Sequence, residues 1–276
     1  MHIKGIYPLL LLILSIASGT AQELYVPSNI YNPDWDFYIV QQEDSLSTIA
    51  VDLGFSNVAP IKDKQDIAWI SLFLINPSND GLATADESNT LAKIEDQLAL
   101  EMTQKQGAHY VGRITSDGHQ DLFFYLGDPG HFEETVYQLM VSFPDYLFKF
   151  GSKEDKDWNG YFKLLYPKPK TLQRIYSRRK FDDLQQSENW YTIPKLMQYQ
   201  FAFKTEVDRN RFETLIAKDG FQLENQNTVE GLELPYCSKI ERNEQIDLTH
   251  LGDTIDWLID QSESCHGSFQ GWEIKE

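Results

Sequence analysis

Neighbouring carboxylates near the start of the chain are the residues best suited to acid–base chemistry. Asp34 and Asp36 flank Trp35, and two close carboxylates can act in hydrolysis when their surroundings raise the pKa of one of them. His109 follows in the same half of the chain. The sequence therefore leaves open an envelope hydrolase with a carboxylate and histidine site at Asp34, Asp36 and His109.

Metal and cofactor chemistry finds less support. The histidines of this region are His109, His119 and His131. A metal site needs several ligands that converge on one ion. The chain has no helical pair of zinc-binding histidines, no calcium loop, no glycine-rich phosphate loop and no serine between glycines. We predict no metal site, no cofactor and no catalytic residue, and we expect a protein that is not an enzyme.

Two tryptophans stand beside turn residues near the ends of predicted strands. Trp158 precedes Asn159-Gly160, and Trp272 follows Gly271. An exposed indole can stack on a sugar ring, so a glycan-binding module is a further alternative. Packing in the core, or between modules, is the competing explanation, since tryptophan is strongly buried on average.

A basic segment, Lys163 to Lys180, interrupts an acidic chain and contains no Asp or Glu. The residues that we predict to bind a protein are Lys168, Lys170, Arg174, Arg178, Arg179 and Lys180. Opposite charges favour an acidic protein as the partner. The alternatives are that the segment docks onto the acidic modules of its own chain, or that it binds an anionic polymer of the cell surface.

The chain contains two cysteines, Cys237 and Cys265. An even number of cysteines in an oxidising compartment indicates a disulfide. We therefore predict a bridge between Cys237 and Cys265, with two buried free thiols as the alternative.

The N-terminus has the features of a secretion signal. Lys4 provides a positive charge, Leu9 to Leu14 are apolar, and Gly19-Thr20-Ala21 offers small residues for cleavage. The apolar run is shorter than the ~20 residues that span a bilayer. We expect residues 1–21 to be a signal peptide, no membrane span after its removal, and a periplasmic or extracellular location.

Composition limits the class of partner. The 276-residue chain has a formal net charge of -18, and such a charge repels nucleic acid and anionic membranes. We expect no nucleic-acid partner. The length also exceeds what one domain usually requires.

Periodicity predicts an α+β fold in two modules. From Trp69 onward the pattern is strand, helix, strand, strand, helix, strand, and the helix from Asp86 to Gln106 ends at Gly107. Asp117-Gly118 joins two strands by a tight turn. A hairpin from Trp35 to Leu53 precedes this order.

The same order returns from Tyr199 to Ile274, with helices from Asn210 to Lys218 and from Leu248 to Ser264. Two βαββαβ units predict two ferredoxin-like modules. We place the first module at residues 30–165, a basic connector at 166–197 and the second module at 198–276. The pattern is compatible with two separate sheets or with one sheet shared by the modules.

The first module resembles a bacterial family known only as domain of unknown function 695. The segments that carry the resemblance are Trp35-Asp36-Phe37-Tyr38, Val51-Asp52-Leu53, Asp80-Gly81-Leu82, Leu91-Ala92-Lys93-Ile94-Glu95-Asp96, Tyr110-Val111-Gly112-Arg113 and Phe123-Phe124-Tyr125. This resemblance implies no particular activity.

The second module is similar to the RraB-like family, named for a regulator of ribonuclease E activity. The segments concerned are Phe212 to Ile216, Gly220-Phe221 and Phe269-Gln270-Gly271-Trp272. The resemblance implies a ferredoxin-like surface that binds another protein. An exported chain does not meet a cytoplasmic ribonuclease, so that target is not carried over. We expect an exported, non-catalytic regulatory protein that acts by protein–protein interaction.

Overall fold

The structure is a computed structural model that describes residues 30–42, 45–185, 194–245 and 247–275. The signal peptide predicted at residues 1–21 lies outside these ranges. The chain divides into two compact units with their boundary between Lys168 and Pro169, and each unit has its own antiparallel sheet. In the described ranges, no helix is both long and apolar enough to cross a membrane.

The N-terminal unit contains six strands and two principal helices. The strands are β1 (Trp35–Gln42), β2 (Ser45–Asp52), β3 (Asp66–Phe73), β4 (His109–Ser116), β5 (His119–Leu126) and β6 (Phe148–Glu154). The helices are α1 (Ala85–Gln106) and α2 (Phe132–Met140). The strand order is β1-β2-β4-β5-β3-β6. The four strands from β3 onward have the ferredoxin-like order, and the hairpin β1–β2 extends this sheet beside β4, which confirms the predicted architecture.

Local sequence explains the boundaries of several of these elements. Asp117 and Gly118 have φ angles of 49° and 78° and close the β4–β5 hairpin, as the Asp-Gly pair predicts. Gly107 ends α1 in a left-handed conformation, with its N–H 3.0 Å from the Thr103 carbonyl oxygen. These positions favour glycine because it adopts positive φ without steric cost.

Both faces of the N-terminal sheet are covered. On one face, Leu91, Ile94 and Leu98 of α1 pack in a core with Phe124 of β5. The opposite face is covered by the turn Leu53–Asn57 and by a helical turn at Gly160–Leu165. Side chains of a strand alternate between faces, so Tyr125, next to Phe124, points to this second layer.

The C-terminal unit repeats the ferredoxin-like plan. Its strands are β7 (Lys195–Phe203), β8 (Gln222–Thr228), β9 (Tyr236–Glu244) and β10 (Gly267–Ile274). Its helices are α3 (Pro169–Gln185), α4 (Glu206–Ile216) and α5 (Leu248–Ser264). The strand order β10-β7-β9-β8 places the first and third strands at the centre. The two modules therefore form separate sheets.

Capping and apolar spacing position the helices of this unit. The Thr205 hydroxyl accepts a hydrogen bond from the Asp208 N–H at 3.1 Å, and the Asp247 carboxylate accepts one from the His250 N–H at 2.8 Å. Both contacts satisfy N–H groups that a helix start leaves without a partner. Phe212 of α4 and Ile255 of α5 then pack on Phe201 of the sheet, as the helical spacing predicts.

The structure does not contain the predicted disulfide, since Cys237 and Cys265 are both free thiols. The Ser238 hydroxyl donates to Glu213 of α4 at 2.7 Å, so Ser238 faces the helices. Cys237 is next to Ser238 on β9 and points to the opposite face. Cys265 is buried in the core on the helical side. The sheet therefore separates the two sulfur atoms.

Candidate protein-binding surface

Part of the basic segment docks on an acidic row of α5 within the C-terminal unit. Lys170 forms an ion pair with Asp260. The Arg174 guanidinium donates from Nε to Asp256 at 2.9 Å and from Nη2 to Asp253 at 3.1 Å. Asp253, Asp256 and Asp260 lie three and four residues apart, which aligns them along one side of the helix. The contacting sides of α3 and α5 thus carry opposite charges.

A glycine of α5 lies beside this contact. A Cβ atom at Gly252 of α5 would lie 2.9 Å from Nη1 of Arg174. Glycine inside a helix costs roughly 0.5–1 kcal/mol relative to alanine. Because Nη1 is the far end of a flexible side chain, a small movement of the guanidinium would accommodate a Cβ atom at this position.

The C-terminal half of α3 packs against β10 through Trp272. The Trp272 indole N–H donates to the Ser177 hydroxyl at 3.0 Å. Lys180 donates to the Trp272 carbonyl oxygen, and its ammonium lies 4.5 Å from the centre of the indole ring. Loss of hydration in this position lowers the pKa of Lys180. Lys180 therefore caps a carbonyl of an edge strand and covers an aromatic face.

The six residues predicted to bind a protein have different surroundings. Lys170, Arg174 and Lys180 make the contacts described above. Lys168 is exposed and is the last residue of the N-terminal unit, whereas Arg178 and Arg179 are half-buried on α3. The assignment of these residues to a partner surface stays a prediction.

A second polar surface lies on the face of the C-terminal sheet that points away from its helices. Its hydrogen bonds join Gln198 to Glu241 (3.0 Å), Gln200 to Glu273 (3.3 Å), Lys239 to Glu273 (2.9 Å) and Lys275 to Glu241 (3.0 Å). Hydrogen bonds from Gln198 and Lys275 lower the pKa of Glu241. This surface was not predicted, although the alternation of Gln198 and Gln200 with Tyr199 and Phe201 indicates it.

The residues considered for hydrolysis have different surroundings. Asp36 accepts a hydrogen bond from the adjacent Phe37 N–H at 2.6 Å. His109 instead packs against Phe55, with ring centres 5.3 Å apart, and burial lowers its pKa.

The other two histidines each lie beside a carboxylate. His119 is 3.5 Å from Asp121 on β5, and His131 is 3.7 Å from Glu134 on α2. Within the described ranges, no group of three or more His, Cys, Asp or Glu side chains could hold a metal ion.

Two buried carboxylates of the N-terminal unit, Asp52 and Asp155, have a structural role instead. Asp52 is fully buried and accepts hydrogen bonds from the Tyr31 hydroxyl at 2.6 Å and from the Gly54 N–H at 2.9 Å. Asp155 accepts one from the Tyr125 hydroxyl at 2.6 Å and one from the Gly160 N–H at 2.8 Å. Buried charged groups need such partners. Both aspartates therefore organise the second layer of the N-terminal unit.

Neither tryptophan considered for glycan binding offers an open ring. Trp158 is fully buried and stacks on Tyr125, with ring centres 3.9 Å apart. Its indole N–H donates to the Lys64 carbonyl oxygen at 2.7 Å. Trp272 is 6% exposed. The packing explanation therefore fits both residues, and the glycan-binding alternative is not favoured.

The chain matches two protein families. Residues 33–166 match the Family of unknown function (DUF695), and residues 174–274 match Regulator of ribonuclease activity B. Both resemblances drawn from the sequence are confirmed, in the same order along the chain. The second match begins at Arg174, within α3, and so includes Arg174 and the acidic row of α5, whereas Lys170 lies before it.

Solved structures and curated proteins add no functional argument. A crystal structure of an unknown protein from Galdieria sulphuraria is 8% identical, with 77% of this chain and 99% of that chain covered and a TM-score of 0.21. A putative glycine cleavage system transcriptional repressor is 9% identical, with the same coverage and TM-score. TM-scores this low support no inference about fold or function. A comparison with curated proteins finds no match.

Proposed function

We propose that this chain is an exported regulatory protein that acts by binding another protein through its C-terminal module. The observation that carries the proposal is the match of residues 174–274 to Regulator of ribonuclease activity B. That name describes a protein that regulates another protein's activity, and the regulatory role is what we transfer. The proposal of export rests on the N-terminal sequence, with its apolar run and small residues before Gln22.

We further propose that the partner presents an acidic segment to the basic side of α3. Arg174 remains 46% exposed while it binds Asp253 and Asp256, and Lys170 remains 37% exposed beside Asp260. A guanidinium offers a fork of N–H donors, so a partner carboxylate can approach the same group from solvent. Ion pairs at this exposure are weak. A partner can therefore share or replace them at low cost.

Affinity capture from an envelope extract, followed by mass spectrometry, tests the binding role. We expect the mature chain to capture one partner in stoichiometric amount. A variant with Arg174→Glu, Arg178→Glu and Arg179→Glu should lose it. The proposal fails if the unmodified chain captures no partner, or if the triple variant captures the same protein equally well.

A charge-exchange variant separates the role of the cations from that of helix docking. The triple variant Arg174→Glu, Arg178→Glu and Arg179→Glu, combined with Asp253→Arg and Asp256→Arg, restores opposite charges across α3 and α5 in reversed order. If the partner recognises the cationic side chains of α3, this variant should still fail to bind the partner. Recovery of binding would instead show that docking of α3 is sufficient, and would argue against an acidic partner segment.

Export has its own test. The mass of the protein purified from an envelope fraction should correspond to a chain that begins at Gln22. An unprocessed chain recovered from the cytoplasm would contradict the proposed location, while leaving the binding role to the capture experiment.

A further inference from the structure

The N-terminal unit exposes an aromatic and aliphatic surface beside its last strand. Tyr137 is 57% exposed and Val141, just after α2, is 78% exposed. Phe148 and Phe150 of β6 are half-buried. The Tyr137 ring meets the Phe148 and Phe150 rings edge-on, with ring centres 5.7 Å and 5.3 Å apart. These four residues form a surface that we call the α2–β6 patch.

The C-terminal unit carries a helix at the equivalent place. In both ferredoxin-like units, the second helix and the last strand lie next to each other in chain order, as α2 and β6 or as α5 and β10. α3 packs on α5 through Asp256 and Asp260, and on β10 through Trp272. The same topological position is therefore a helix-binding position within this chain.

The spacing of the side chains supports this correspondence. Asp256 and Asp260 lie four residues apart on the side of α5 that meets α3. Tyr137 and Val141 are also four residues apart, and Tyr137 lies on the side of α2 that meets β6. Residues at this spacing occupy one side of a helix. Where α5 presents carboxylates to a covering helix, α2 presents apolar groups.

We infer that the α2–β6 patch binds a basic amphipathic helix of a partner protein, in the manner in which α3 covers α5 and β10. Apolar residues of that helix, spaced three or four apart, would bury Tyr137 and Val141. Exposed acids lie near the patch in the chain, with Glu133 and Glu134 in the first turn of α2 and Asp145 ahead of β6. Lys149, between Phe148 and Phe150, points instead over the Phe73 ring. The net charge of -18 also attracts a positively charged partner. Charge complementarity therefore selects a cationic helix.

The inference concerns a different unit from the proposed C-terminal contact, so a defined probe can test it without an identified partner. The probe is a labelled synthetic peptide of residues 167–185, the basic helix that occupies the equivalent place in the other unit. We expect saturable binding to the full chain in fluorescence anisotropy. Tyr137→Asp and Val141→Asp should each weaken it by about tenfold or more, because a charge replaces buried apolar surface.

Control variants distinguish binding at the α2–β6 patch from non-specific binding and from loss of folding. Ile39→Asp changes another exposed apolar residue of the same unit, on the edge strand β1 at the opposite end of the sheet order from β6, and should leave the affinity unchanged. Glu133→Gln with Glu134→Gln should weaken binding several-fold at about 0.1 M salt and have less effect at about 1 M. Val141 is so exposed that its substitution should leave the thermal unfolding of the chain unchanged, which keeps the test valid if Tyr137→Asp unfolds.

Three outcomes would overturn the inference. The first is the absence of saturable binding. The second is peptide binding that depends on Asp256 and Asp260 but not on Val141, because the peptide would then exchange with α3 on α5. The third is self-association of the chain, seen by sedimentation without peptide and abolished by Val141→Asp, because the occupant would then be a second copy.

Discussion

Replacing Arg174 by glutamate measures how strongly charge holds α3 to the C-terminal unit. The guanidinium pairs with Asp253 and Asp256, and these groups are 46%, 67% and 27% exposed. Exposed ion pairs are worth about 0.2–1 kcal/mol each. Loss of two pairs, together with repulsion between like charges, should lower the free energy of unfolding by about 1–2 kcal/mol.

Apolar contacts make a larger contribution to the docking of α3. Ile175 is 2% exposed and Phe181 is 6% exposed, and burial of one such side chain contributes about 1.5–3 kcal/mol. The two residues together therefore outweigh the ion pairs. We expect α3 to remain docked in Arg174→Glu and to detach in Ile175→Asp, which places a charge in the core.

Two measurements distinguish these contributions. Urea denaturation should give the loss of about 1–2 kcal/mol at about 0.1 M salt and a smaller loss at about 1 M, where screening is stronger. Hydrogen exchange should show that the backbone amides of α3 stay protected in Arg174→Glu and lose protection in Ile175→Asp.

The reasoning would be refuted if Arg174→Glu alone removed the protection of the α3 amides. A loss of stability that is the same at both salt concentrations would also refute it, because the contact would then not be a screened ion pair. Either result would further mean that the capture variants report on a displaced helix and not on its charges.

Three further outcomes are expected. In the native protein, Ellman's reagent should modify the half-buried Cys237 and reach the buried Cys265 only after denaturation. If the denatured, unreduced chain showed no reactive thiols, the two cysteines would be bridged, and the description of them as free thiols would be wrong. Burial raises the pKa of Tyr38 and of Tyr146 to about 12, above the value near 10 of an unfolded chain. Their contribution to stability is therefore present below about pH 10 and lost as the pH rises to about 12. Circular dichroism recorded together with phenolate absorbance should show unfolding in that interval, and ionisation of these tyrosines near pH 10 without unfolding would contradict it. Trp158→Ala should destabilise the chain by about 3–5 kcal/mol and Trp158→Phe by less; an unchanged melting temperature would show that the indole is not packed as described.

Local sequence was sufficient for most of the architecture. The repeated order of strands and helices, the Asp117-Gly118 turn and the end of α1 at Gly107 each depend on neighbouring residues, whose spacing and φ preferences are readable in sequence. The two family resemblances depend on short segments of the same kind. The hairpin before the first module was also predicted correctly.

Candidate sites were harder to predict, because they depend on which faces meet. Trp158 stands in a turn sequence, yet it is fully buried because the segment around Gly160 folds back over the sheet. The cationic residues of α3 were recognised as a group, but their pairing with Asp253, Asp256 and Asp260 required the position of α5. The α2–β6 patch likewise is recognised only by comparing the folds of the two units, because α3 covers the equivalent position in the C-terminal unit.

The cysteines show most directly which features follow from the sequence and which depend on the tertiary structure. The sequence by itself determined two thiols, the strand that carries Cys237 and the helix that ends before Cys265. Tertiary structure decided that they face opposite sides of one sheet, because side chains alternate along a strand and the helices pack on a single face. Helix and strand formation depends on contacts between near neighbours, whereas the meeting of surfaces depends on residues that are far apart in the chain.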